Sequence, residues 1–205
     1  MTFASRSLDE FLVALASPEP TPGGGTASAI AGAMGVSLLV MVAGLTKTRA
    51  NTADERATLL AVRASLEPLR LSLQECADRD AEAFGEVMAA FRMPRASDDE
   101  KARRTEAVQS ALRAATDVPL ETLRLATRAL ELGETVGRLG NPAAASDVGV
   151  AAGLLRAAAD GAAANVRINL DGLTNQTHRA GAKVEGEQLL DRSEVARARI
   201  LAALG

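Results

Sequence analysis

Apolar residues recur along most of this chain every three to four positions with charged residues between them, the spacing of amphipathic helices. One stretch departs from that pattern: no residue between Glu19 and Lys47 is charged. It opens with Pro20-Thr21-Pro22-Gly23-Gly24-Gly25, stiff backbone followed by permissive backbone, and continues as a run rich in Ala, Gly and Leu. The run predicts a helix of about 30 Å. Free N–H groups at a helix start behind a glycine turn suit an anion or a carbonyl group. A tight turn before a buried core helix would have the same sequence. The run is long enough for a bilayer, but small residues dominate it and Leu38–Val42 is its one dense greasy patch. It therefore predicts a core helix packed through Gly32 and Gly35, in the centre of a bundle or in a subunit interface, rather than a membrane span.

The remaining pattern divides at helix start and stop signals. Ser7-Leu8-Asp9-Glu10 is a capping box, predicting a short helix from Leu8 to about Ala16 that buries Phe11, Leu12 and Leu15. Thr52-Ala53-Asp54-Glu55 begins a long helix to about Arg92, with a kink or break at Pro68. Ser97-Asp98-Asp99-Glu100 begins a helix to about Asp117. Val118-Pro119 predicts a break, with a new helix from Pro119 to about Leu139. At Gly140-Asn141-Pro142, Asn141 can cap and Pro142 can open a helix to about Leu170. After Asp171-Gly172, the tail from Thr174 reads as helical to the end, loosened around Gly181 and Gly186. The expectation is an all-α, multi-helix bundle forming one domain over 1–205, with a central apolar helix and a dimeric assembly.

Composition sharpens this. The chain has 205 residues, no Trp or Tyr and only four Phe, so helix formers dominate over strand formers. A net charge of −3 with both signs interspersed argues against nucleic acid or an acidic lipid surface as the partner. The single cysteine, Cys76, excludes an internal disulfide and fits a reducing, cytoplasmic setting. One cysteine and one histidine make a transition-metal site improbable. There is no phosphate-loop signature, the glycines do not follow a strand, and no serine elbow is present.

Against that background a few polar residues stand out. On a wheel centred on Asp80, Leu73, Val87 and Phe91 fall within about 20° and Cys76 and Phe84 within about 40°. Asp80 is thus a carboxylate in an apolar stripe, while Asp78, Arg79, Glu82 and Glu86 point elsewhere. Burial of such a group raises its pKa toward the range useful for proton transfer, and an aspartate bonded to a helix end or an arginine gives the same pattern. Asp147, early in its helix, suits an anion-favouring dipole or plain capping. Asn165 and Asn169 lie on its stripe as ligand-binding or helix-bridging amides. Lys47 and Arg49 close the uncharged helix, and with Arg167 they are either ordinary cations or holders of an anionic tail. His178 is expected to face solvent, and Cys76 to be packing.

Pro20-Thr21-Pro22-Gly23-Gly24-Gly25-Thr26 before an Ala/Gly-rich helix resembles the opening motif of the formiminotetrahydrofolate cyclodeaminase family, which includes free-standing methenyltetrahydrofolate cyclohydrolases. Asp80-Ala81-Glu82-Ala83-Phe84, Ala115-Thr116-Asp117-Val118-Pro119, Gly140-Asn141-Pro142 with Ser146-Asp147, and Ala164-Asn165-Val166-Arg167-Ile168-Asn169-Leu170 follow in the family's order. The resemblance spans about 7–200. Thr26 stands where the family usually has serine, and Lys47 and Arg49 are a thin basic cluster beside that of relatives. The resemblance implies an all-helical homodimer acting on a reduced folate, with Asp80 as the essential acid. Pro22, Gly23, Gly24, Gly25, Thr26, Lys47, Asp147, Asn165 and Asn169 are the expected substrate-binding positions. It further implies no metal or redox cofactor, the tetrahydrofolate derivative being the substrate, and neither a membrane nor a nucleic acid as partner.

Overall fold

The structure, a computed structural model, describes residues 3, 6–45 and 52–205. Among these are six α-helices and no strand: α1 (Leu8–Leu15), α2 (Gly24–Gly44), α3 (Ala53–Arg92), α4 (Asp98–Leu139), α5 (Ala145–Leu170) and α6 (Gln176–Leu204). The three capping boxes all form: Ser7, Thr52 and Ser97 accept from the backbone N–H of Glu10, Glu55 and Glu100, whose carboxylates reach back. Asn141 caps a single 3-10 turn, Pro142–Ala144, that leads into α5.

Helix α2 is the centre of the bundle. It packs chiefly against α3 and α5 and also touches α4, while α6 lies across α4 and α5. Its own Leu39 is fully buried, as are Leu66, Leu73, Leu123, Leu130 and Leu155 around it. Glycine allows the close approach to α5. A Cβ at Gly35 would sit 2.8 Å from Leu155 Cγ and 3.0 Å from the Ala151 carbonyl oxygen. No Cβ fits there unless the backbones move apart. Helix α2 is also the one described helix apolar enough for a membrane, with mean hydropathy 1.9 over its best window, of which 44% is buried in the molecule. Its outer stripe, with Met34 and Met41, is exposed.

Several expectations need correction. In α1 only Phe11 is buried; Leu12 is exposed and Leu15 half-buried, because the eight-residue helix meets the bundle along one narrow edge. Neither internal proline ends a helix. Helix α3 runs unbroken through Pro68. The two helices expected on either side of Pro119 are one 42-residue helix, α4. A proline inside a helix frees the carbonyl four residues earlier and costs about 3 kcal/mol. At Pro68 that carbonyl belongs to exposed Ala64, where water can bond it. At Pro119 it belongs to Ala115, and its oxygen accepts a 2.6 Å hydrogen bond from Asn169 Nδ2 of α5. Helix α6 likewise passes Gly181 and Gly186 without interruption.

Candidate active site

The α2 start is capped from outside itself. Its N-cap residue is Gly23, which has no side chain to offer the first-turn N–H groups. Asp80, in the C-terminal half of α3, supplies the acceptor: Thr26 Oγ1 donates to Asp80 Oδ2 at 3.0 Å, and the Thr26 backbone N–H bonds the same carboxyl. Thr26 is 0% exposed, so its hydroxyl is covered, while Asp80 itself is half-buried. Gly25 is the residue that lets the carboxyl so close. A Cβ built there would lie 2.6 Å from Asp80 Cγ and 2.7 Å from Oδ2, and closer still to Oδ1.

Burial pushes the Asp80 carboxyl above its ordinary 3.8, and the two Thr26 bonds only partly offset it. Asp80 is therefore a helix cap that holds its proton more tightly than an exposed aspartate does. It faces a cavity of about 300 Å³ lined by Pro20, Thr21, Gly23, Gly24, Gly25, Asp80, Phe84, Val87, Leu112, Ala115, Asn165 and Asn169. The α3 stripe changes character at Asp80. Before it, Leu73, Cys76 and Ala77 are covered by the bundle, whereas beyond the start of α2 Phe84 and Val87 are left to form the cavity wall. The far wall is α4 and the end of α5, tied to each other by Gln109. That side chain donates to the Gly172 carbonyl at 3.0 Å and accepts from the Thr174 backbone N–H at 2.8 Å.

Of the residues expected to bind substrate, Gly23, Gly24, Gly25, Asn165 and Asn169 converge on this cavity with Asp80. Pro22 is buried in the turn, after a cis peptide, without lining the cavity, and Thr26 acts on it through Asp80. Asp147 does not join them. It shares a helix face with Asn165, but 18 residues of α5 separate the two, about 27 Å of helix. Lys47 and Arg49 lie outside the described residues. Arg167 points away and lines a different groove of about 350 Å³ between α5 and α6. That groove contains Arg179, Lys183 and Glu187 but no buried acid. His178 does not face open solvent: its side chain is 26% exposed, with Nε2 3.2 Å from Asp117 Oδ1. Cys76 is buried near Thr122, its thiol pushed up by desolvation, as packing requires. Among the described residues no group of three or more His, Cys, Asp or Glu side chains gathers as a metal site.

Sequence reasoning missed Leu112 and Ala115 as cavity residues, and it noted Phe84 only as a neighbour of Asp80. Leu112 and Ala115 look like ordinary helix positions, and only the proline at 119 marks the Ala115 carbonyl as free.

Comparison with known proteins gives this geometry a lineage. The family described as Formiminotransferase-cyclodeaminase matches residues 7–188. The chain is 40% identical to a methenyltetrahydrofolate cyclohydrolase of Methylorubrum extorquens over 91% of this chain and 89% of that protein. It is 29% identical to a formimidoyltransferase-cyclodeaminase of Rattus norvegicus, covering 97% of this chain but only 37% of that protein. Its fold superposes on the crystal structure of a formiminotetrahydrofolate cyclodeaminase from Thermotoga maritima with a TM-score of 0.87 and 32% identity, over 98% of this chain and 96% of the other. On sequence and fold together, the chain belongs to the formiminotransferase-cyclodeaminase family.

Proposed function

We propose that this protein is a methenyltetrahydrofolate cyclohydrolase, a folate one-carbon enzyme acting on the N5–C–N10 bridge with Asp80 as its general acid–base. The observation that carries the reading is the Asp80 carboxyl, raised in pKa and turned into the cavity at the glycine start of α2. In the hydrolytic direction the methenyl carbon is cationic, and an adjacent carboxylate stabilises it. Water attacks that carbon and gives a proton to Asp80. The C–N5 bond then breaks, Asp80 returns its proton to N5, and the carbinol O–H proton leaves to solvent. The products are 10-formyltetrahydrofolate and a net proton. The uncapped N–H groups of the glycine turn suit a carbonyl or carboxylate of the substrate, and the Asn165 and Asn169 amides suit the polar edge of the pterin. The half-exposed Phe84 ring offers a flat apolar wall.

Likeness to the Thermotoga cyclodeaminase favours a second reading by the same acid. There N10 attacks the carbon of the protonated formimino group on N5, Asp80 takes the N10 proton, and the same proton goes to the departing NH2 nitrogen, which leaves as ammonia. Absorbance at the methenyl band separates the readings. Hydrolysis of methenyltetrahydrofolate removes the chromophore, and cyclodeamination of formiminotetrahydrofolate creates it. We expect the first at enzyme-dependent rates; turnover of neither substrate above the uncatalysed background rejects both.

The working form is proposed to be a homodimer joined through the outer stripe of α2. That helix carries no charge and leaves Met34 and Met41 uncovered, so a two-fold copy meets it without any charge to match. Light scattering is expected to give about twice the chain mass of 21.2 kDa. Met34→Lys together with Met41→Lys is expected to shift that toward the monomer. A native mass equal to one chain rejects the dimer.

A further inference from the structure

The proline inside α4 has its consequence in the cavity. Pro119 is buried and has no N–H, so the Ala115 carbonyl cannot make its helical bond. Ala115 borders the cavity, and Asn169 Nδ2 meets its freed carbonyl at 2.6 Å. A carbonyl can only accept. The Asn169 amide must therefore turn its nitrogen toward α4, and its Oδ1 is left without a donor among the described residues. Asn165, one turn earlier, is held the same way round: its Nδ2 donates to the Gly161 carbonyl at 2.9 Å.

We propose that Pro119 is a positioning residue for the ligand. By withholding an N–H from Ala115 it orients the Asn169 amide so that the cavity presents a fixed acceptor. With Asn165 Oδ1 and Asp80, this wall is acceptor-rich and selects a ligand edge that donates, such as the ring N–H and exocyclic amino groups of a reduced pterin. The inference rests on the folate reading of the cavity. Pro68 supplies an internal contrast, since its freed carbonyl at Ala64 is exposed and no side chain need serve it.

The test uses the full chain with 5-formyltetrahydrofolate as a stable probe, its Kd measured by calorimetry, alongside thermal unfolding. Pro119→Ala restores the backbone N–H to Ala115 and releases Asn169. It is expected to weaken binding about threefold to tenfold, the worth of one oriented neutral hydrogen bond. In turnover the loss is expected in KM rather than kcat. Its Tm is expected to stay level or rise, because alanine is the better helix residue. Pro68→Ala is expected to leave the Kd as it was. Asn169→Ala is expected to weaken binding to the same degree in the parent and to add little in the Pro119→Ala background. It is also expected to lower Tm in the parent, where Ala115 is orphaned, and less in that background. Unchanged affinity in Pro119→Ala, or losses that simply multiply in the double variant, overturns the inference while leaving the folate reading intact. A parent protein that does not bind the probe overturns both.

Discussion

Replacing Asp80 with asparagine is expected to slow methenyltetrahydrofolate turnover by about a hundredfold or more, while the protein stays folded and unfolds at a higher temperature at neutral pH. The two halves of that result come from one fact. Asp80 caps α2 through Thr26, which favours the anion, but desolvation outweighs the cap and its pKa ends above 3.8. Between 3.8 and its folded value the native protein binds more protons than the unfolded chain. Wild-type stability therefore falls as pH rises through that window, and the loss persists above it. Asparagine carries no such cost, and its Oδ1 still accepts from Thr26. The gap in Tm between variant and parent should thus be open at pH 7 and close as the pH drops below 3.8. The acid limb of the parent kcat/KM profile should likewise lie above 3.8 and vanish from the variant. Circular dichroism melts and the methenyl absorbance assay at a series of pH values check both. If the variant keeps a rate within tenfold of the parent, Asp80 is a cap and nothing more, and the proposed mechanism fails.

Particular residues show how much of this could be read before any coordinates. The helix starts were legible because a capping box is a local device: Ser7, Thr52 and Ser97 each need only a glutamate three residues on. Asp80 was legible because an acid among Leu73, Cys76 and Val87 stands out on a wheel. The failures share a cause, which is that they depend on what lies across from the residue. Pro119 reads as a helix breaker because its rescue comes from Asn169, 54 residues past Ala115 in the chain. Asp147 reads as a partner of Asn165 because a wheel keeps the angle and discards the axial distance. Leu112 and Ala115 carry no local sign that α2 begins too late to cover them. His178 reads as a solvent residue because Asp117 is invisible until α6 folds back on α4.

Gly25→Ala is expected to cost about 1–3 kcal/mol of stability through overpacking, several degrees in Tm, and most of the activity. Nothing in the local backbone predicts this. Gly25 sits in the first turn of α2, where alanine is by propensity the better residue. The damage comes from across the interface, because the new Cβ would meet Asp80 Cγ at 2.6 Å. An aspartate is too short to bend aside and keep its Thr26 bond. Either α2 is pushed away from α3, or the carboxyl rotates off and leaves Thr26 and the α2 start without an acceptor. Gly24→Ala serves as the stability control, since its Cβ has nothing within 4 Å; its Tm should hold. The double variant Gly25→Ala with Asp80→Ala decides the cause. Removing the carboxyl makes room for the methyl, so the second substitution should recover much of the Tm lost to the first without restoring any turnover. Were the two losses in Tm additive instead, the clash with Asp80 could not be their origin, and the close seating of that acid against the glycine start of α2 would no longer explain why the site is built there.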